Sequence, residues 1–226
     1  MHIKTCIVVA GGKGVRMQTD TPKQFLTLTG KPMVMLTMEA FYRYDPKLKI
    51  ILVLPEFLFQ TWYNLCKKFE FKIPYTVAAG GKTRYNSVKN GLNILHDTGL
   101  VAVHDGARPL VSTRLLKRCF ETAEKKGNAV PCIPLPVSLR KIGKTGNLSV
   151  DRSQYVAVQT PQVFKKELLD AAFQQPYQDN FTDEASMMDH MGIPIHLVQG
   201  EPGNIKITTP EDLLFAETLL RKEEIS

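Results

Sequence analysis

The sequence predicts an α/β fold, a single Rossmann-like domain of 226 residues built on a doubly wound, mostly parallel sheet. Two observations carry that prediction. Short apolar runs bounded by turn residues alternate with segments of helical apolar spacing, and no shift in composition marks a second domain, so residues 1–226 read as one unit. The strand-like runs are Ile3 to Ala10, Lys49 to Leu54, Tyr75 to Ala79, Leu100 to Val103, Ala129 to Pro134 and Pro194 to Val198. The helical spacing falls at Pro32 to Tyr44, Thr83 to Leu95 and Ser112 to Lys126. In such sheets ligands gather at the carboxyl ends of the strands, so the loops that follow these runs are where a site is expected.

The first run empties into Ala10-Gly11-Gly12-Lys13-Gly14-Val15-Arg16-Met17, and Pro22-Lys23-Gln24-Phe25 follows shortly after. A strand that opens into glycines and two spaced cations suits a polyphosphate, because backbone N–H groups and fixed positive charge converge on one anion. A dinucleotide fingerprint starting at Gly12 would need glycine at Met17, and GxxxxGK[ST] is absent. An ordinary strand-to-helix turn is the competing reading. Arg16 and Lys23 weigh against it: two cations with no acid between Gly11 and Thr19 repel each other at a bare turn, and a triphosphate would relieve that.

Further along, Gly80-Gly81-Lys82 follows the third run, and His104-Asp105-Gly106-Ala107-Arg108-Pro109 follows the fourth. An aspartate at a strand end can bind a metal or a sugar hydroxyl, and the planar fork of Arg108 can grip a phosphate. A purely structural Asp105–Arg108 pair remains the alternative. Residues 137–157 break the alternation as two extended polar runs around Gly143-Lys144-Thr145-Gly146-Asn147, which reads as a projecting β-hairpin arm. An arm of that kind cannot stabilise itself and is expected to lie on a second copy of the chain, with a floppy surface loop as the alternative. A last group comprises Arg152, Thr160, Thr182-Asp183-Glu184 and Lys206, hydroxyls and cations that suit anion binding better than covalent catalysis. The final helix is signalled by Thr209 as N-cap and Pro210 as its first residue, with Glu211 and Asp212 assigned to capping.

Composition narrows the partners. The chain carries 29 Lys and Arg against 22 Asp and Glu, a net charge of +7 that fits anionic ligands. The cations are dispersed and no basic stripe interleaved with aromatics occurs, which argues against nucleic acid. Cys6, Cys66, Cys119 and Cys132 lack metal-ligand or CxxC spacing and read as reduced thiols. No run reaches the ~18 apolar residues of a membrane span, and a cytoplasmic protein is expected.

The motifs AGGKGVRM, PKQF, GGKTRYNSVKNGL, VHDGARP, VDR, QTPQVF, TDEAS and NIKITTPEDL, in this order, span nearly the whole chain. Together they resemble the 2-C-methyl-D-erythritol 4-phosphate cytidylyltransferases of the non-mevalonate isoprenoid pathway. Gly11 and Gly106 depart from the alanines usual in that family. The resemblance implies transfer of CMP from CTP to 2-C-methyl-D-erythritol 4-phosphate, with Mg²⁺ as cofactor and pyrophosphate leaving. It implies that CTP meets Ala10, Gly11, Gly12, Gly14, Arg16, Lys23, Arg84, Ser87, Asp105 and Gly106, with Gly80 and Gly81 reading the cytosine. Asp105, Arg108, Ser138, Arg152, Thr160, Thr182 and Lys206 would bind the polyol phosphate, and Arg16, Lys23, Arg152 and Lys206 would carry catalysis. The family's arm crosses to a partner, so Ser138 and Arg152 would serve the neighbour's site in a homodimer. A ribitol 5-phosphate cytidylyltransferase and a non-catalytic nucleotide-binding protein are the rival readings.

Overall fold

In the computed structural model, which describes residues 2–12, 17, 19 and 21–225, the elements follow one another as β1 (Lys4–Val9), β2 (Thr27–Leu28), β3 (Lys31–Pro32), α1 (Met33–Tyr44), β4 (Lys49–Leu54), α2 (Phe59–Lys68), β5 (Thr76–Ala79) and α3 (Arg84–Asn93). Then come β6 (Leu100–Asp105), α4 (Thr113–Lys126), β7 (Asn128–Pro134), β8 (Leu139–Gly143), β9 (Gly146–Val150) and β10 (Val156–Val158). β11 (Gln162–Lys165), α5 (Lys166–Ala172), α6 (Glu184–His190), β12 (Leu197–Gln199) and α7 (Pro210–Ile225) complete the chain. Gly14 and Arg16 lie outside the described residues.

The main sheet has the order β10-β7-β11-β6-β1-β4-β5, with β12 joined to β7. β6, β1, β4 and β5 are mutually parallel, as the alternation predicts. β11 is antiparallel to β6 and β7, and β10 is antiparallel to β7. β1 is apolar from Cys6 to Val9 because both its faces are covered: Cys6 and Val8 pack under α1, α2 and α4, while Ile7 packs under α3, α5 and α6. Helix starts follow local chemistry. Thr83 and Ser112 cap α3 and α4 by accepting the N–H groups of Asn86 and Leu115. At the start of α7, Asp212 N–H donates to Thr209 Oγ1 while Asp212 Oδ2 accepts the Thr208 and Thr209 N–H groups, the capping role predicted for that acid.

Several boundaries differ from the sequence reading. β6 runs past Val103 to Asp105, because His104 and Asp105 stay in register with Val8 and Val9. The strand expected at Pro194 to Val198 is Leu197–Gln199. The arm is a real hairpin, β8 against β9 with Gly143 opposite Gly146, but Val156 and Ala157 belong to the main sheet, opposite Pro134 and Ile133. Its Ile142 and Leu148 are 86% and 72% exposed, so in one chain the arm has nothing to pack on. α2, α5 and α6 were not anticipated.

Candidate functional site

The carboxyl ends of β1, β4, β5 and β6 open into one cavity of about 830 Å³. Segments far apart in the sequence line it. Ala10, Gly11 and Gly12 follow β1, Lys23 comes from the loop before β2, Gly81, Arg84 and Ser87 come from the start of α3, and Asp105 and Lys206 complete it. A second hollow of about 600 Å³, beside Arg114, Arg118 and Glu201, contains none of the predicted site residues.

Each contributor is held by its surroundings. Lys23 opens a single 3-10 turn, Lys23–Phe25, entered from Pro22 and anchored where Phe25 stacks on buried Trp62, with ring centroids 6.2 Å apart. Lys206 sits between buried Asn204 and Ile207, and the Ile207 N–H donates to Ala107 O at 2.9 Å, tying that segment to the loop after β6. Ser87 Oγ donates to Thr83 O and accepts the Gly81 N–H at 3.1 Å, so the loop after β5 is closed onto α3. A Cβ on Gly81 would stand 2.3 Å from Asn86 Cβ, so only glycine fits there.

Asp105 is the hub of the charged wall. Its Oδ2 lies 2.9 Å from Lys206 Nζ and 3.5 Å from Arg108 Nε, and its Oδ1 is 3.8 Å from Arg84 Nε. Burial alone would raise this carboxyl; Arg84, Lys206 and Arg108 more than reverse that and hold it well below the usual carboxylate range. Arg84 in turn forks onto Glu184, Nη1 to Oε1 at 2.6 Å and Nη2 to Oε2 at 2.8 Å. Burial works against the Arg84 charge, but Glu184 and Asp105 outweigh it and push the group up.

Behind the wall runs a directional chain of hydrogen bonds. His104 Nε2 faces Arg108 O at 3.1 Å, an atom that only accepts, so Nε2 carries the ring proton. Burial pushes the imidazole down to about 4, and as a neutral ring it accepts the Thr160 hydroxyl at Nδ1, 3.1 Å away. Thr160 Oγ1 accepts the Asp105 N–H, also at 3.1 Å. Arg108 Nη1 donates to Asn204 O at 2.8 Å, and Asn204 Nδ2 donates to Thr160 O at 2.8 Å.

Of the residues named from sequence, Ala10, Gly11, Gly12, Lys23, Gly81, Arg84, Ser87, Asp105 and Lys206 therefore share one cleft. Arg108 and Thr160 stand directly behind Asp105. The backbone N–H groups of Ala10, Gly80 and Gly106 are not open to a ligand: they donate to Val53 O, Leu54 O and Val9 O. Ser138 and Arg152 lie on the exposed arm, where Arg152 Nη1 donates to Pro136 O, and Thr182 is exposed just ahead of α6; none of the three lines this chain's cleft. The Asp105–Arg108 pair was the structural alternative, and it exists alongside the cleft role of Asp105. Sequence reasoning gave no role to His104 and none of its own to Glu184. The one available signal for Glu184 was an acid at a helix start, which points to capping.

The profile of the 2-C-methyl-D-erythritol 4-phosphate cytidylyltransferase family matches residues 4–222. A relative from Bacteroides thetaiotaomicron with that name is 48% identical over 217 residues, covering 96% of this chain and 99% of its own. The solved structure of the Thermus thermophilus enzyme of that name matches with a TM-score of 0.74 at 30% identity, covering 98% of this chain and 100% of its own. That of the Francisella tularensis enzyme matches with a TM-score of 0.79 at 29% identity, covering 96% and 99%.

Proposed function

The chain belongs to the 2-C-methyl-D-erythritol 4-phosphate cytidylyltransferase family, and we propose that it works through the cleft built around Asp105. The activity is that of a nucleotidyltransferase: CMP passes from CTP to 2-C-methyl-D-erythritol 4-phosphate, giving 4-diphosphocytidyl-2-C-methyl-D-erythritol and pyrophosphate for isoprenoid biosynthesis. A phosphate oxygen of the polyol attacks the α-phosphorus of CTP, a new P–O bond forms in line, and the bond to the β-phosphate bridging oxygen breaks as pyrophosphate departs.

The obstacle is charge. Two unit charges about 4 Å apart repel by roughly 4 kcal/mol at an effective dielectric of 20. The observation that carries the proposal is the arrival of Lys23, Arg84 and Lys206 from distant stretches of chain on the walls of one cavity. Lys23 stabilises charge at the reacting phosphate. Lys206 and Arg108 place the polyol phosphate, and Ser87 with Gly81 bounds the cytosine. No protein nucleophile enters; positioning and electrostatics carry the rate.

Asp105 is the one carboxylate among the described residues lining this cavity, and Lys206 and Arg108 already occupy one edge of it. That donor set suits Mg²⁺ held mainly by the triphosphate, where it would neutralise phosphate charge, with Asp105 as the protein's contribution. The exposed arm, with Ser138 and Arg152 away from their own cleft, supports a homodimer in which both reach a neighbouring copy's site. Four free thiols suit a reducing cytoplasmic setting.

Incubation with CTP labelled at the α-phosphate, together with the polyol phosphate, tests the reaction. Label must move into the CDP-linked polyol, and label at the γ-phosphate must appear in pyrophosphate alone. Release of inorganic phosphate instead would overturn it.

A further inference from the structure

Five charged side chains meet at one wall of the cleft: Arg84, Arg108 and Lys206 against Asp105 and Glu184. Glu184 is 1% exposed and is rigidly placed as the first residue of α6. Asp183 and Ser186 form a capping box around that helix start, and Gln162 locks it further, accepting the Ala185 N–H and donating to Asp183 Oδ2. From that seat Glu184 takes both terminal nitrogens of Arg84, which leaves only the Nε edge of the guanidinium toward Asp105, at 3.8 Å.

We infer that Glu184 is a positioning residue that holds the Arg84 fork away from Asp105, so that the Asp105 carboxylate is left to anchor Lys206 at 2.9 Å. A guanidinium fork is the geometric match for a carboxylate, and an unoccupied one this near would close on Asp105. Lys206 is the partner it would displace, because its side chain is 43% exposed and has solvent to retreat into, whereas Arg108 is 13% exposed and tied to Asn204 O. The inference rests on the reading of Lys206 as the cation that places the polyol phosphate. It assigns no phosphate contact to the Arg84 fork.

The charge balance makes the inference separable from a purely structural role. With Glu184 charged, three cations face two carboxylates; Glu184→Gln keeps the shape and adds one net positive charge to the wall. A triphosphate should then bind as well as before or more tightly, while the polyol phosphate loses its placed lysine. A side chain that merely supported the fold would weaken both substrates together.

The test measures the Kd for CTP and the KM for the polyol phosphate in Glu184→Gln, Lys206→Gln and the double variant of the full chain, with Tm followed in each. The expected result is a KM for the polyol phosphate about ten-fold higher in Glu184→Gln, the scale of a cation moved by an ångström or less, with no loss of CTP affinity. The double variant should be no worse than Lys206→Gln alone. Glu184→Asp keeps the charge on a shorter stem and should fall between wild type and Glu184→Gln, which also serves if the glutamine variant folds poorly. Parallel weakening of both substrates, or an unchanged KM in Glu184→Gln while Lys206→Gln raises it, would overturn the inference alone. An unchanged KM in Lys206→Gln would overturn the role of Lys206 first, and this inference with it.

Discussion

The Thr160 hydroxyl donates to His104 Nδ1 at 3.1 Å, which couples the loop after β10 to the end of β6 and leaves Thr160 Oγ1 turned to accept the Asp105 N–H. Asp105 is thereby fixed from behind by an imidazole that must stay neutral. Its ordinary value is 6.5 and burial lowers it to about 4, so between those values the unfolded chain takes up a proton that the folded chain refuses. Stability is therefore full above about pH 6.5 and falls as pH drops toward 4, by about 3 kcal/mol across the window. Urea unfolding of wild type and His104→Gln across that range should give a shallower acid loss in the variant; equal slopes would exclude His104 as the cause.

Lys23→Ala should lower kcat by about 10² to 10³, the scale for removing one preorganised donor from a developing charge. Steady-state kinetics with both substrates saturating would check it. A variant turning over at the wild-type rate removes Lys23 from the mechanism.

The glycines of the cleft should respond unequally to a single methyl. At Gly81 an added Cβ meets Asn86 Cβ at 2.3 Å, whereas at Gly11 the nearest atom is Pro55 Cδ at 3.8 Å. Gly81→Ala should therefore cost about 1 to 3 kcal/mol of stability and weaken CTP, while Gly11→Ala, the residue usual in the family, should leave both near wild type. Thermal unfolding and CTP titration of the pair check this; two variants that behave alike would mean that the loop after β5 is loosely held.

Arg152→Ala should raise the KM for the polyol phosphate without changing that for CTP. If the arm serves a neighbouring copy, equal mixing with Lys23→Ala should restore about a quarter of wild-type activity, since half the dimers are mixed and each has one intact site. Mixtures no more active than the average of the two variants would place Arg152 in its own subunit's site or in none.

The fold was legible where both faces of a strand are buried or where a cap precedes a helix, as at β1 and at Thr83. α2 escaped because Trp62 is its one fully buried residue and the rest of its apolar surface is shared with solvent. β11 escaped because it is short, opens on the polar Gln162 and follows Gln159-Thr160-Pro161. Glycine loops and cations marked the cleft, yet the Ala10, Gly80 and Gly106 N–H groups extend the sheet instead of facing a ligand, which residue types alone do not disclose. The Arg84–Glu184 fork was invisible for a different reason: topology brings the two together across 100 residues of sequence.

Pyrophosphate release with CTP and, in separate reactions, 2-C-methyl-D-erythritol 4-phosphate and ribitol 5-phosphate tests the central claim most directly. The account predicts release with the methylerythritol substrate at a kcat/KM about ten-fold or more above that for ribitol 5-phosphate. Faster release with ribitol 5-phosphate, or none with either, would contradict it.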